Sequence, residues 1–150
     1  LRAVGLDVAP QSGTKRSTRD PAFRDRILRA YEYRCAVCGY DVQLDSHPIG
    51  LEAAHVKWHQ AGGPDTEENG IALCALHHKL LDRGAWRLSD EHRLLASEQV
   101  HGSTGLDEWL LRFHGEPIAR PIRPSYRVKP AFVQWHVREV FRDPERYQAS

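Results

Sequence analysis

The chain has 150 residues, 41% of them hydrophobic, which is enough for one domain with a modest core and leaves little for a second. A charged fraction of 27%, no apolar run of spanning length and no visible secretory leader exclude a membrane helix and point to a soluble, cytoplasmic protein. Three cysteines cannot close into a complete disulfide set, so metal binding in a reducing compartment is the better use for them.

The formal net charge of +1 hides a pattern. Residues 1–34 carry eight Lys/Arg against four Asp/Glu, residues 41–108 five against twelve, and residues 112–138 six against one. An acidic centre between basic flanks suits a protein that holds cations in the middle and a polyanion outside. Chance segregation on a solvated surface is the alternative.

In chain order, residues 1–19 are small, polar or basic and read as a linker from an upstream region. Asp20-Pro21 then offers an N-cap with proline in the first turn. Phe23, Ile27, Leu28 and Tyr31 follow at helical spacing, giving a helix over 21–33 whose Arg24, Arg26 and Arg29 form a solvated face, with phosphate contact as the alternative. RCAVCGYD places Cys35 and Cys38 on a tight turn, and 41–50 is irregular loop. A strand is expected over 51–56, a loop over 60–69 around Gly62-Gly63-Pro64-Asp65, and a helix over 75–83 closed by Gly84. Residues 86–88 and 93–95 form a hairpin. Thr104 opens a helix carrying Leu106, Trp109, Leu110 and Phe113 toward the core. The Pro- and Arg-rich stretch 117–130 is an extended basic strap, and a last helix after Pro130 is anchored by Phe132, Trp135 and Phe141.

Zinc takes four soft or borderline ligands in a tetrahedron, and a Cys-x-x-Cys turn supplies two of them. Cys74 and His77 repeat the short spacing at the start of a helix. The expected structural site is Cys3His zinc, built from Cys35, Cys38, Cys74 and His77. Buried free thiols beside an unrelated histidine are the alternative.

His55, Asn69 and His78, set in AAHVKWHQAGGPDTEENGIALCALHHKLLDRG, resemble the HNH endonuclease motif. The resemblance covers about residues 23–88 and implies an α+β fold: a ββα-metal (His-Me finger) core with flanking helices. The domain would then span 20–150, with a helical C-terminal extension over 104–150. The stretches FRDRILRAYEYRCAVCG and RPSYRVKPAFVQWHVREVF are similar to the nuclease part of type IV, modification-dependent restriction enzymes that act on phosphorothioated DNA. The family's one-metal mechanism makes His55 the general base and His78 a ligand of a catalytic Mg2+ or Mn2+. It implies double-stranded DNA as substrate, an upstream recognition domain in the full-length protein and a homodimer for cutting both strands.

Phosphodiester hydrolysis needs a base, a cation and their positioning. Histidine titrates near neutrality, which suits His55. His78 and Asp82, four apart on a helix, share a face as paired ligands. Asn69 is an amide suited to tying the loop to the strand and orienting His55. Relatives often carry Asp or His directly before the base, but here Ala54 stands there. Glu52, two residues away on the same strand face, either replaces that carboxylate or is merely solvated or salt-bridged. His59 is assigned to the loop, away from His55. Phosphate contacts are assigned to Lys57, Arg120, Arg123 and Arg127, with a solvated segment as the alternative. A zinc-stapled DNA-binding or scaffold domain without hydrolysis is the competing function.

Overall fold

Phe23, Ile27 and Leu28 bury one stripe of the first helix, α1 (Phe23–Ala30), in a computed structural model that describes residues 20–147. The linker expected over 1–19, and residues 148–150, lie outside the described residues. α1 is shorter at both ends than its spacing predicts. Asp20 Oδ1 accepts the Ala22 N–H at 2.9 Å, so Pro21 and Ala22 form a turn before the helix. Glu32 and Tyr33 take φ of 57° and 59°, a left-handed pair that ends it.

The cysteine turn is closed by Gly39 N–H to Cys35 O and Cys35 N–H to Tyr40 O, both 2.9 Å. A minimal hairpin, β1 (Gln43–Leu44) with β2 (His47–Pro48), lies inside the expected loop. β3 (Leu51–His55) then pairs antiparallel with β4 (Gly70–Cys74), in register from Leu51↔Cys74 to His55↔Gly70. β4, Gly-Ile-Ala-Leu-Cys, is buried at every position because both α1 and the helix after it cover the pair, so it lacks the alternation that marks a strand. That helix, α2 (Ala75–Asp82), is followed by Gly84 at φ +79°, the left-handed conformation its position requires. The order β3-loop-β4-α2 is a ββα finger.

β5 (Trp86–Leu88) pairs with β6 (Leu94–Ala96), one residue later than expected. α3 (Thr104–Trp109) stops early, and Leu110 rather than Trp109 turns into the core, leaving Trp109 50% exposed. In α4 (Pro130–Glu139) the buried stripe is Val133 and His136, with Phe132 and Trp135 only half-buried. Beyond the helix, Phe141 is buried as expected. The strap contains one 3-10 turn, Pro124–Tyr126. It bonds through Ala119 N–H to Ala36 O (2.9 Å), Ile122 N–H to Ala30 O (2.8 Å) and Lys129 N–H to Glu68 O (3.0 Å). Among the described residues no helix is long and apolar enough to cross a membrane.

Gly63 marks the tightest point of the β3–β4 loop, since a Cβ there would lie 1.8 Å from Lys57 O and 2.9 Å from Asn69 Nδ2. Gly63→Ala is expected to destabilise the fold by about 1–3 kcal/mol, the usual cost of overpacking. Urea unfolding of the zinc-loaded protein measures it, and an unchanged midpoint would show that the loop is not clamped there.

Candidate functional site

The β4–α2 junction builds the first cluster. Cys74 caps α2 with its sulfur, which accepts the His77 N–H at 3.4 Å. His77 Nδ1 lies 3.3 Å from Cys74 Sγ and 3.9 Å from Cys35 Sγ, and Cys38 Sγ is 3.9 Å from Cys74 Sγ. Thiol hydrogen bonds from Cys38 and Cys74 outweigh burial and pull the Cys35 thiol far below its ordinary range, so a thiolate is favoured. His77 Nε2 lies 2.6 Å from the Trp109 carbonyl. A carbonyl only accepts, so Nε2 carries a proton and Nδ1 is the nitrogen that faces the sulfurs, where it is placed to ligate a metal. The Phe113 ring packs edge-on against His77, and Trp86 Nε1–H bonds its carbonyl at 3.1 Å. One donor atom from each residue falls within 4.8 Å of the others, so the four residues expected for zinc are together and fit it. The Trp109 carbonyl, a backbone atom, left no trace in the sequence.

The second cluster sits where β3 ends. The His55 ring stacks on Phe23, with centroids 4.2 Å apart and planes at 15°. Its Nε2 is 2.7 Å from Asp65 Oδ1, and His59 Nδ1 is 3.3 Å from the same oxygen. Asp65 Oδ2 accepts the Asp20 N–H at 2.6 Å. Burial opposes ionisation of Asp65, but the Asp20 amide and His55 together hold its carboxyl below the usual range. An ionised carboxylate only accepts, so His55 Nε2 is the donor, and in the neutral ring Nδ1 is the nitrogen that takes a proton.

The expectation that His59 stays apart from His55 is therefore wrong: the 3-10 turn His59–Ala61 folds directly after the strand and brings His59 back. Asp65, missed as a functional residue, was signalled only by its place after Gly62-Gly63. Arg26 is not merely solvated, because its guanidinium bonds Asp65 O at 2.5 Å and Asp20 Oδ2 at 2.8 Å. Asn69 is fully buried; Oδ1 accepts the Lys57 N–H at 2.8 Å, and Nδ2 donates to Lys57 O and Pro64 O, both at 3.0 Å. It ties the two ends of the loop, acting on His55 through the backbone, whereas Asp65 is the side chain bonded to the ring.

On α2, His78 Nδ1 is 2.6 Å from Glu52 Oε1 and Nε2 is 3.2 Å from Asp82 Oδ2. Burial would depress His78, but the hydrogen bonds to Asp82 and Glu52 prevail and lift it to about 9. The His78 hydrogen bond in turn lowers Glu52. Glu52, His55, His59, His78 and Asp82 all line one cavity of about 770 Å³. Ala54 does not: it is 0% exposed in the core, and the acid that reaches the cavity from this strand is Glu52, two residues before it on the same face of an unbroken ladder. The cations on the cavity wall are Arg24, Lys79 and Arg83, and Lys57, Arg120, Arg123 and Arg127 are not among its lining residues.

A ββα finger with a Cys3His cluster and three histidines on one cavity is the arrangement of the HNH class of fold. Residues 35–88 match the family model for HNH endonuclease. A solved structure described as "Modification dependent TagI restriction endonuclease" shares the fold, with a TM-score of 0.57 at 21% identity over 81% of this chain. The match spans 38% of that protein's chain. No functionally curated protein matches this chain.

The raised His78 supplies a pH test. Its folded value of about 9 lies above the ordinary 6.5, so its bridge to Glu52 and Asp82 contributes stability that is complete below about pH 6.5 and lost as pH rises through about 9. A divalent cation must displace that proton. Mn2+ affinity at the cavity, measured by calorimetry, is therefore expected to climb between pH 7 and 9 and then level. A flat profile would remove His78 from the ligand set.

Proposed function

We propose that this chain is a metal-dependent DNA endonuclease domain that hydrolyses phosphodiester bonds. The observation that carries the reading is His55 held in one tautomer by an ionised Asp65, on the wall of the cavity that also presents His78, Asp82 and Glu52. In this reading His55 Nδ1 accepts a proton from the attacking water, and Asp65 both aims the ring and stabilises the imidazolium that forms. His78 and Asp82 would hold one Mg2+ or Mn2+, with Glu52 fixing His78 from its other nitrogen. When bound, such a cation neutralises charge developing on the phosphate. Arg24, Lys79 and Arg83 meet the phosphates entering the cavity, and Arg120, Arg123, Arg127 and Lys57 serve backbone farther along the duplex. The Cys3His cluster, loaded with zinc, holds α2 and so the direction of His78.

At finer grain, we read the chain as the cleavage domain of a modification-dependent restriction enzyme that senses phosphorothioated DNA. Its substrate is double-stranded DNA in the bacterial cytoplasm, its specificity comes from an upstream domain, and two copies cut the two strands. The motif-flanking stretches and the fold shared with a modification-dependent enzyme support this.

Supercoiled-plasmid nicking with Mg2+ or Mn2+ tests the core reading. His55→Ala is expected to lose about 10²- to 10⁴-fold in rate, the range for removing a general base. If the unaltered chain cuts no better than His55→Ala with any divalent ion, the scaffold reading replaces the enzyme. Replacing Arg120, Arg123 and Arg127 by Ala together should flatten the salt dependence of DNA binding, each lost phosphate contact lowering the log–log slope by about 0.9. An unchanged slope takes the strap off the DNA.

A further inference from the structure

His55 Nε2 and His59 Nδ1 both aim at one oxygen, Asp65 Oδ1, at 2.7 and 3.3 Å, and the three donor atoms lie within 4.8 Å of one another. Convergence of two imidazole nitrogens on a carboxylate oxygen is the arrangement of a three-ligand cation site with positions left for water. Each partner is held by something else. Phe23 stacks on His55, the Asp20 amide fixes the other Asp65 oxygen, Arg26 grips the Asp65 carbonyl, and Gly62 at φ 92° closes the turn that carries His59. Both histidines also line the cavity, which gives a cation its path in. Two nitrogens and one oxygen suit zinc-class transition ions better than magnesium, which prefers oxygen ligands.

We propose that His55, His59 and Asp65 form a second cation site, distinct from the His78 set and from the Cys3His cluster, and that a zinc-class ion bound there switches the nuclease off. The cause is tautomeric. A neutral imidazole carries one N–H, and with Nε2 given to Asp65 as a donor the acceptor is Nδ1. A cation taking the Nε2 lone pair sends that proton, by exchange with water, to Nδ1, and His59 likewise moves its proton to Nε2. No proton is gained or lost overall, yet Nδ1 of His55 becomes a donor and can no longer accept from water. The switching rests on His55 being the base, whereas the site rests only on the geometry.

The two parts are tested separately on the zinc-loaded protein. In a His78→Ala background, calorimetric titration with Zn2+ is expected to show one equivalent beyond the structural zinc. Imidazole nitrogen NMR should show His55 passing from the Nε2–H to the Nδ1–H form. Adding His59→Asn, or independently Asp65→Asn, should weaken that equivalent by about 10- to 100-fold, at least the loss that follows removal of an outer partner from a metal site. With the His78-containing chain, Zn2+ should inhibit Mg2+-supported nicking, and His59→Asn, measured against its own zinc-free rate, should need at least tenfold more Zn2+ for the same fractional inhibition. Absence of the extra equivalent, or its survival in both variants, overturns the site. Equal zinc sensitivity with and without His59 overturns the switch. Zinc binding with the tautomer shift but without inhibition, where His55→Ala also nicks normally, overturns the switch by refuting His55 as the base and leaves the cation site standing.

Discussion

The structure depends on one junction, where β4 runs into α2. Cys74 ends the strand, caps the helix with its sulfur and belongs to the cluster that includes Cys35 and Cys38. From that fixed start the helix assigns directions: successive residues project about 100° apart, so His77 turns back into the sulfur cluster and His78 turns out toward Glu52 and the cavity. The pairs His77–Trp109 and His78–Glu52, each 2.6 Å, are made in opposite surroundings by neighbouring residues. A shift of one position along α2 would put Lys79 in place of the cavity histidine, or Leu76 in place of the one facing the sulfurs. The sulfur cluster thus sets where the cavity histidine points.

α1 supplies the second constraint. A loop joining two strands has no reason of its own to hold a carboxylate against a histidine. Here Asp20 and Arg26 flank the start of the helix and bind Asp65 through its side chain and its carbonyl. Phe23 and Ile27, one turn apart, press on Gly70, where an added Cβ would lie 2.4 Å from Ile27 Cδ1. The same Phe23 backs the His55 ring. Helix, strand and loop are therefore locked by a few side chains, and the tautomer of His55 is a consequence of that locking. Asn69 completes it by tying Lys57 to Pro64.

The finger and its four zinc-type ligands were legible in the sequence because each rests on local signals: the Cys-x-x-Cys turn, the Cys-x-x-His repeat at a helix start, and Gly84 where a left-handed residue was needed. β4 was not, since a strand covered on all sides loses the alternation that announces one. His59 and Asp65 were misread for a related reason. Spacing along a strand predicts which residues diverge, but a 3-10 turn immediately after it reverses the chain, and such turns leave a faint signature. Ala54 reads differently in three dimensions as well. A missing ligand in the linear motif becomes an ordinary core alanine, and the acid facing the cavity is Glu52.

The charges around the cavity pair two acids with one histidine and set cations beside them. Glu52 and Asp82 flank opposite nitrogens of His78, and the proton they retain on it, reflected in its raised value of about 9, occupies the place a divalent cation would take. Without metal the cluster is thus partly neutralised from within and the acids do not repel one another unopposed. Arg24, Lys79 and Arg83 line the same cavity, so positive charge stands beside the carboxylates there. Lys79 and Arg83 flank His78 and Asp82 in the sequence, which places ligands and cavity-lining cations around one helical segment whose direction the sulfur cluster already sets. The acidic centre and basic flanks seen in the composition therefore do not describe the cavity itself, where both signs are interleaved residue by residue.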